Sequence, residues 1–355
     1  MLTYLVILIL VGVLIEVLSV KFALNGVEYD LRLSKTMVES GERFDMISVV
    51  TNRRRRFLPF VRMNENVPTG LEAERELTME SFTERRSVLS STVYLMPRQR
   101  LTRRTAVSMP ERGWYTFNGA TLLGGDFLGL REKALRVELE REVVVLPRPS
   151  QSPEISRILG GFTGDTSVQR FILEDPMLTM GFHEYTGHEP MKQIAWGLSA
   201  KVGSWMVRTY DHTVERVATV ILNVDTFAFG TYGHNRLEQC YSMARALCEA
   251  LEAQRVPYSF LTNIQPEGSA ISGEVSDGLG EAHLKPILEI LGRAGYEARE
   301  KQAALMDRAA KRAERGRKII LITPVRDDLH PEFMERVYFT TGERVLPLVP
   351  EEDAP

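Results

Sequence analysis

The chain has 355 residues, 44% apolar and 26% charged, both ordinary for globular protein and long enough for two domains with cores of their own. A net charge of -3 gives no overall pull on nucleic acid, and no cofactor is expected. The two cysteines, Cys240 and Cys248, form no CxxC or zinc-spaced cluster.

The first stretch, Leu2 to Val20, is nearly all apolar, with Glu16 as its one charge. As a helix it rises about 28 Å, close to the ~30 Å hydrocarbon core of a bilayer. A signal peptide wants a basic start and a small-residue cleavage site, and neither is present. The expectation is an uncleaved transmembrane anchor over residues 1–21, with Glu16 near the interface. Lys21, Arg32 and Lys35 follow the span, so the positive-inside rule places the body in the cytoplasm of a single-pass membrane protein. The thiols agree: eight residues of helix separate Cys240 from Cys248 by about 12 Å, too far to bridge, and unpaired thiols fit a reducing compartment.

Residues 27–147 carry many short strand signals. Tyr29 to Ser34 alternates, Phe44 to Val50 is β-rich, and Gly41 and Asn52 punctuate them. Ser91 to Leu95, Ala106 to Met109, Glu111 to Phe117 and Val137 to Leu146 continue the set, and this spacing predicts a small antiparallel β-sandwich. Between two strand signals lie Arg53, Arg54, Arg55 and Arg56. From Arg53 to Arg112 there are 13 Arg against 7 Glu, a local balance of +6. The plain reading of the run is a solvated hairpin tip; the functional one is contact with anionic lipid headgroups.

Residues 148–203 read as a connector, opened by Pro147, Pro149 and Pro153. Its Gly160-Gly161-Phe162-Thr163-Gly164-Asp165 lacks the GxxxxGK[ST] pattern of a phosphate loop. The connector ends in Glu184 to Lys201, which holds Tyr185, His188, Trp196 and Ser199, with Gly187 and Pro190 to bend the backbone. Trp196 reads as a buried aromatic hub at a domain junction. From residue 204 to 349 strand and helix alternate. Val217 to Asp225 and Lys318 to Thr323 are buried-strand runs, Leu237, Tyr241, Ala244, Cys248 and Leu251 mark a helix, and Pro347 makes the last strand an edge. That alternation predicts a doubly wound sheet.

The stretch E-Y-x-x-H-E-x-x-K-x-I-x-W-x-x-S-A-K resembles the hallmark of the bacterial domain of unknown function 58 family, E-Y-x-x-G-D-x-x-R-x-I-x-W-x-x-S-A-R. Glu184, Tyr185, Ile194, Trp196, Ser199 and Ala200 match in register. Glu111-Arg112-Gly113, Asp126 to Leu130, Leu146-Pro147 and Leu237-Glu238-Gln239 fit the family as well. The departures are His188 for Gly, Glu189 for Asp, and Lys192 and Lys201 for Arg; lysine keeps the charge but not the bidentate fork. The resemblance implies a membrane-anchored chain ending in a von Willebrand factor A-like domain, and a MoxR-type AAA ATPase as partner. The expected fold class is therefore α/β plus β: a transmembrane helix, a β-sandwich over 27–147 and a doubly wound von Willebrand A-like domain over 204–349. In such a domain the first strand ends in D-x-S-x-S, a Mg²⁺ site. Here Asp225-Thr226-Phe227-Ala228-Phe229 replaces both serines, leaving a degenerate loop of Asp225 and Thr226 and no metal, with Asp225 better suited to bracing a loop or a helix terminus.

Function is expected to be that of a membrane-tethered, non-enzymatic interaction protein working with that ATPase. One alternative is a hydrolase using the His183, His188 and Ser199 region, with Asp211 nearby, although no nucleophile elbow is present. The other is an envelope- or lipid-binding module resting on Arg53 to Arg56.

Overall fold

The computed structural model describes residues 4, 24–73, 78–81, 86–125, 132–164, 179–187, 191–210, 217–225, 230–269, 272–326 and 330–350. Two compact units result. The first comprises Met1–Ser150, Ile264–Gly273 and Lys285–Arg299; the second comprises Gln151–Asn263, Glu274–Leu284 and Glu300–Pro355.

In the first unit, strands β1 (Val27–Leu33), β2 (Met37–Glu39), β3 (Arg43–Asn52), β4 (Leu58–Pro68), β5 (Glu72–Ala73), β6 (Thr78–Ser81), β7 (Arg86–Leu95), β8 (Arg100–Ser108), β9 (Gly113–Phe117), β10 (Ala120–Gly125), β11 (Glu132–Val137) and β12 (Arg141–Leu146) follow one another. They form sheets ordered β1-β3-β8-β5, β11-β10-β4-β7-β6 and β2-β12-β9, every pairing antiparallel except β2 with β12. Alternation explains the strands: in β1 Val27, Tyr29 and Leu31 are buried while Glu28 and Arg32 are exposed. The inward residues Leu31, Phe44, Met46, Val61, Met63, Leu89, Phe117 and Leu122 make one core, with the Phe44 and Phe117 rings edge to face at 6.4 Å.

In the second unit, α1 (Pro153–Gly164), β13 (Thr179–Glu184), a 3-10 turn (Met191–Gln193), α2 (Trp196–Val202), β14 (Met206–Tyr210), β15 (Ala218–Leu222), α3 (Gly230–Ala253) and β16 (Tyr258–Thr262) come first. Strand β17 (Ile264–Pro266) belongs to the first unit, β18 (Glu274–Gly278) to the second, and helix α4 (Glu281–Gly292) spans the boundary between their segments. Strand β19 (Ala294–Ala298) is again in the first unit. Then α5 (Gln302–Lys311), β20 (Lys318–Ile322), α6 (Pro331–Thr341) and β21 (Leu346–Leu348) complete the second. Its main sheet runs β18-β16-β15-β20-β21, parallel except for β18. Strands β15 and β16 are buried at every residue, which is why they read as unbroken apolar runs. Ile221, Leu261, Ile319 and Leu321 pack on Leu305, Met306 and Ala309 of α5 and on Phe333 and Val337 of α6.

The expected fold class is corrected. Among the described residues strand exceeds helix, 42% against 28%, and the C-terminal stretch does not close into one doubly wound von Willebrand A-like domain. Two of its segments, Ile264–Gly273 and Lys285–Arg299, cluster instead with the first 150 residues. There β17 and β19 pair antiparallel with each other rather than joining the parallel sheet. The physical reason is that periodicity reports each element and not its partner. Among the described residues no helix is long and apolar enough to cross a membrane. The transmembrane anchor expected over residues 1–21, and the single-pass localisation with a cytoplasmic body that rests on it, therefore find no such helix and are not carried forward; apart from Tyr4, Leu2 to Val20 lies outside the described residues.

One inward position of β4 breaks the apolar pattern. Val61, Met63 and Val67 face the core, and so does Glu65, 1% exposed. Its Oε1 accepts hydrogen bonds from Tyr29 at 2.8 Å and from Ser48; its Oε2 meets no hydrogen-bond partner among the described residues. Burial lifts the Glu65 carboxyl above the ordinary 4.5, against the pull of the Ser48 and Tyr29 hydroxyls and the Arg103 charge. Burial and the Glu65 carboxyl together drive the Tyr29 hydroxyl upward as well. With a raised folded pKa, the contribution of Glu65 to stability is complete below the unfolded value. It is lost as pH rises through the folded one, because the unfolded chain releases its proton first. Urea unfolding between about pH 5 and pH 8 should therefore show wild type losing stability that Glu65→Gln keeps. Parallel pH profiles of the two proteins would refute the upward shift of Glu65.

Candidate functional site

The motif stretch folds as a local substructure of the second unit. Strands β13 and β14 pair antiparallel, His183 opposite Val207 and Glu184 opposite Met206, and Ile194 bridges the far side of β14 at Val207. Between them the chain makes the 3-10 turn and α2. Ile194, Ala195 and Val207 are buried beneath. Ser199 ties the piece together. Its hydroxyl donates to Ala195 O at 3.0 Å and accepts the Met206 amide at 2.9 Å, while the Ala195 amide donates to Met206 O at 2.8 Å. Helix α2 ends at Gly203, whose left-handed backbone (φ 80°) lets its amide reach Ser199 O at 2.9 Å.

On this frame apolar side chains face outward. Met191 is 60% exposed, Trp196 58%, Val202 56%, Trp205 53% and Phe182 46%: of the twelve large exposed apolar residues among the described ones, five fall in this one stretch. The Trp205 ring stacks on Tyr185, centroids 5.6 Å apart at 48°, and the Tyr185 amide donates to Trp205 O at 2.7 Å. Exposed Lys192, Ala200 and Lys201 flank it, and Glu184, also exposed, accepts from Ser204 at 3.4 Å. Trp196 is thus not the buried hub expected for so large a ring. The first residue of a seven-residue helix has too little helix around it to cover an indole. The left-handed backbone sits at Gly187 (φ 92°), where the glycine stands, one position before His188. His188 and Glu189 lie outside the described residues. Sequence reasoning reads Trp205 as a strand residue and leaves Phe182 in the connector; the signal was there in two tryptophans nine apart around a Gly203 helix stop.

The hydrolase alternative loses its nucleophile here. Ser199 is buried and both roles of its hydroxyl are taken by backbone partners, whereas His183 is exposed. Asp211 lies outside the described residues.

Asp225 stands past the carboxyl end of β15, the edge where open α/β sheets bind ligands. Its Oδ2 accepts the Gln302 amide at 2.9 Å at the start of α5, and Lys301 Nζ lies 3.5 Å from its Oδ1. Buried Asn223 and Asn263 close the loop. Asn223 Oδ1 accepts the Asp225 amide at 3.1 Å and Asn263 Nδ2 at 2.9 Å, and Asn263 Oδ1 accepts the Val224 amide at 2.9 Å. Asp225 therefore braces a loop and caps a helix. Thr226, Phe227 and Phe229 lie outside the described residues. Among the described residues no group of three or more His, Cys, Asp or Glu is placed to hold a metal ion. Arg53, Arg54, Arg55 and Arg56 form the exposed turn from β3 to β4 in the first unit.

No family model matches the chain and no curated protein matches it, so the resemblance to the domain of unknown function 58 family gains no support beyond its motif residues. Solved structures match about a third of the chain. The CARDB domain of the PF1109 protein from Pyrococcus furiosus is 15% identical, over 34% of this chain and 87% of its own, with a TM-score of 0.23. A cohesin module from a Clostridium perfringens family 33 glycoside hydrolase is 10% identical over 34% and 96%, TM-score 0.25. Native α2-macroglobulin from Escherichia coli, from domain MG7 to the C-terminus, is 18% identical over 35% and 17%, TM-score 0.27. At those scores no fold or function transfers to this chain.

The two motif residues should separate in their effect on stability. Ser199→Ala leaves the half-buried Met206 amide without its acceptor and should cost about 1 kcal/mol in urea unfolding. Trp196→Ala, from an exposed ring, should cost roughly 0.5 kcal/mol or less. A Trp196→Ala loss of about 3–5 kcal/mol would mean a buried ring and no docking surface.

Proposed function

We propose that this chain is a non-enzymatic interaction protein that docks a protein partner on the aromatic surface of β13, α2 and β14. The observation that carries the reading is Phe182, Met191, Trp196, Val202 and Trp205 exposed together on one locally braced substructure. Keeping that much apolar surface in water is unfavourable by about 25 cal/mol per Å², and monomers leave such patches where something covers them. Tryptophan and methionine are enriched at protein interfaces, tryptophan above all among the residues that dominate binding energy. Lys192, Lys201 and Glu184 supply a polar rim. The bonds from Ser199 to Ala195 and Met206 hold the surface ready, so little order need be gained on binding.

The partner proposed is a MoxR-type AAA ATPase, which the motif resemblance implies. Affinity purification of the full chain, followed by titration with the purified ATPase, tests it. Trp196→Ala and Trp205→Ala together should weaken binding by roughly thirtyfold or more, as loss of a dominant contact does. Wild-type affinity in the double variant would remove this surface from the interaction. Absence of binding to the ATPase by wild type would remove the partner.

A further inference from the structure

A second surface, at one end of the first unit, has the opposite chemistry. The β3–β4 turn carries Arg53 to Arg56, and the β7–β8 connection, residues 96–99, is hydrogen-bonded against it. The Arg98 amide donates to Arg54 O at 2.9 Å, and the Asn52 amide donates to Gln99 O at 2.8 Å. Topology, not sequence proximity, makes this meeting: β3 pairs with β8 and β4 with β7, so both connections cross between sheets at the same end. Arg98 and Arg100 thereby join the four-arginine run, and all six are exposed.

Buried Asn52 locks the two turns. Its Nδ2 donates to Arg56 O at 2.7 Å and to Met96 O at 3.0 Å, and its Oδ1 accepts the Arg54 amide at 3.0 Å. The start of the unit is fastened to the same tip, since Gly26 O accepts the Arg53 amide at 2.9 Å. The Arg54 side chain lies so close over Gly26 that a Cβ there would come within 2.9 Å of it. Arg98 itself holds left-handed backbone (φ 58°), which an arginine adopts only at a cost. Arg53 pairs with Glu28 at 2.7 Å. Among the described residues Arg54, Arg55, Arg98 and Arg100 have no acidic partner.

We infer that this tip docks on the surface of an anionic bilayer, its arginines on the headgroup phosphates and carboxylates and exposed Met96 reaching the acyl boundary. Each basic residue near such a surface contributes, and Arg is the residue suited to phosphate. Met96, 50% exposed, sits in the same turn as Arg98, and Tyr94, 60% exposed, is the last residue but one of β7; an apolar side chain among cations suits an interface. Single-stranded nucleic acid is the less fitting occupant. Its binders present an extended basic groove with several stacking rings, whereas these arginines crowd on two short turns.

The test is co-sedimentation of the full chain with phosphatidylcholine vesicles, with and without about 30% phosphatidylserine, against Arg54→Glu/Arg55→Glu/Arg98→Glu. All three positions are exposed, and an unchanged melting temperature shows that the variant folds. Wild type should favour the anionic vesicles, lose that preference in high salt, and fall on the order of a hundredfold in partition in the triple variant. Met96→Ser should weaken partition at every salt concentration. Equal binding to neutral and anionic vesicles, or an unchanged triple variant, would overturn the inference. So would saturable binding to a single-stranded oligonucleotide or to inorganic phosphate without vesicle binding. The tryptophan variants should partition like wild type, so failure here and failure of the partner reading are told apart.

Discussion

Arg293 brings into a nearly dry place a charge that no accessible pH removes. Its side chain is 5% exposed. The Glu142 carboxylate accepts Nη2 at 2.6 Å and Nη1 at 3.3 Å, Glu289 accepts Nε at 3.0 Å, Glu267 O accepts Nη1 at 3.2 Å, and the guanidinium lies 5.8 Å from the centre of the Trp114 ring. Trp114 in turn donates to Glu142 at 2.8 Å. Arg293 holds the Glu142 carboxyl below the ordinary glutamate range, although burial works against it, with Trp114 helping. Nearby, Arg112 donates to Leu291 O at 3.0 Å and Ala294 O at 2.6 Å. The bonds of Arg112, just before β9, and of Glu142 in β12 run to residues 151 to 182 positions later in the chain. They are the reason that 285–299 belongs to the first unit and not to the α/β sheet beside it in sequence. Glu142 remains partly in water, so its share of the desolvation cost stays small and the pair does not rely on a dry, fully buried carboxylate.

That long-range tie marks the limit of what the sequence makes legible. The alternation of Val27, Tyr29 and Leu31, or the unbroken run Ala218 to Leu222, reports an element and the faces it buries. It does not report which strand lies next to it. Arg293 follows a helix and precedes a strand, and nothing local says that its counter-ion is Glu142. Reading the C-terminal stretch as one doubly wound domain fails at β17 and β19 for that reason. Arg98 and Arg100 join Arg53 to Arg56 through pairings that lie beyond the reach of any window of neighbouring residues. Glu65 is the converse case: its alternation with Met63 and Val67 places a carboxylate on a core face, legible from β4 alone once the strand is assigned.

Trp196 shows a different limit. Tryptophan is highly buried on average, but an average is settled by what surrounds the ring. Here the covering work is done by smaller neighbours, Ile194, Ala195 and Val207, and the buried polar group is Ser199. Matching the motif residues therefore ranks them wrongly for structure. The serine is the residue that the backbone needs, and the tryptophan the residue that the backbone presents.

The two surfaces follow one rule, though their chemistries are opposite. Ser199 in the second unit and Asn52 in the first are small, buried and polar, and each ties together two backbone segments where they meet. Asn52 satisfies three backbone groups and Ser199 two at short range. A buried hydroxyl or amide left unpaired is costly, so each bond, once made, admits few alternative geometries. The residues held at the outside, Trp196 and Trp205 in one unit and Arg54, Arg55 and Arg98 in the other, are those that bind best when little motion has to be lost on contact. Exposed rings and crowded like charges both work against stability in the free chain. Both are tolerable because the groups that fix their positions lie inside the unit, are fully bonded and do not depend on a ligand.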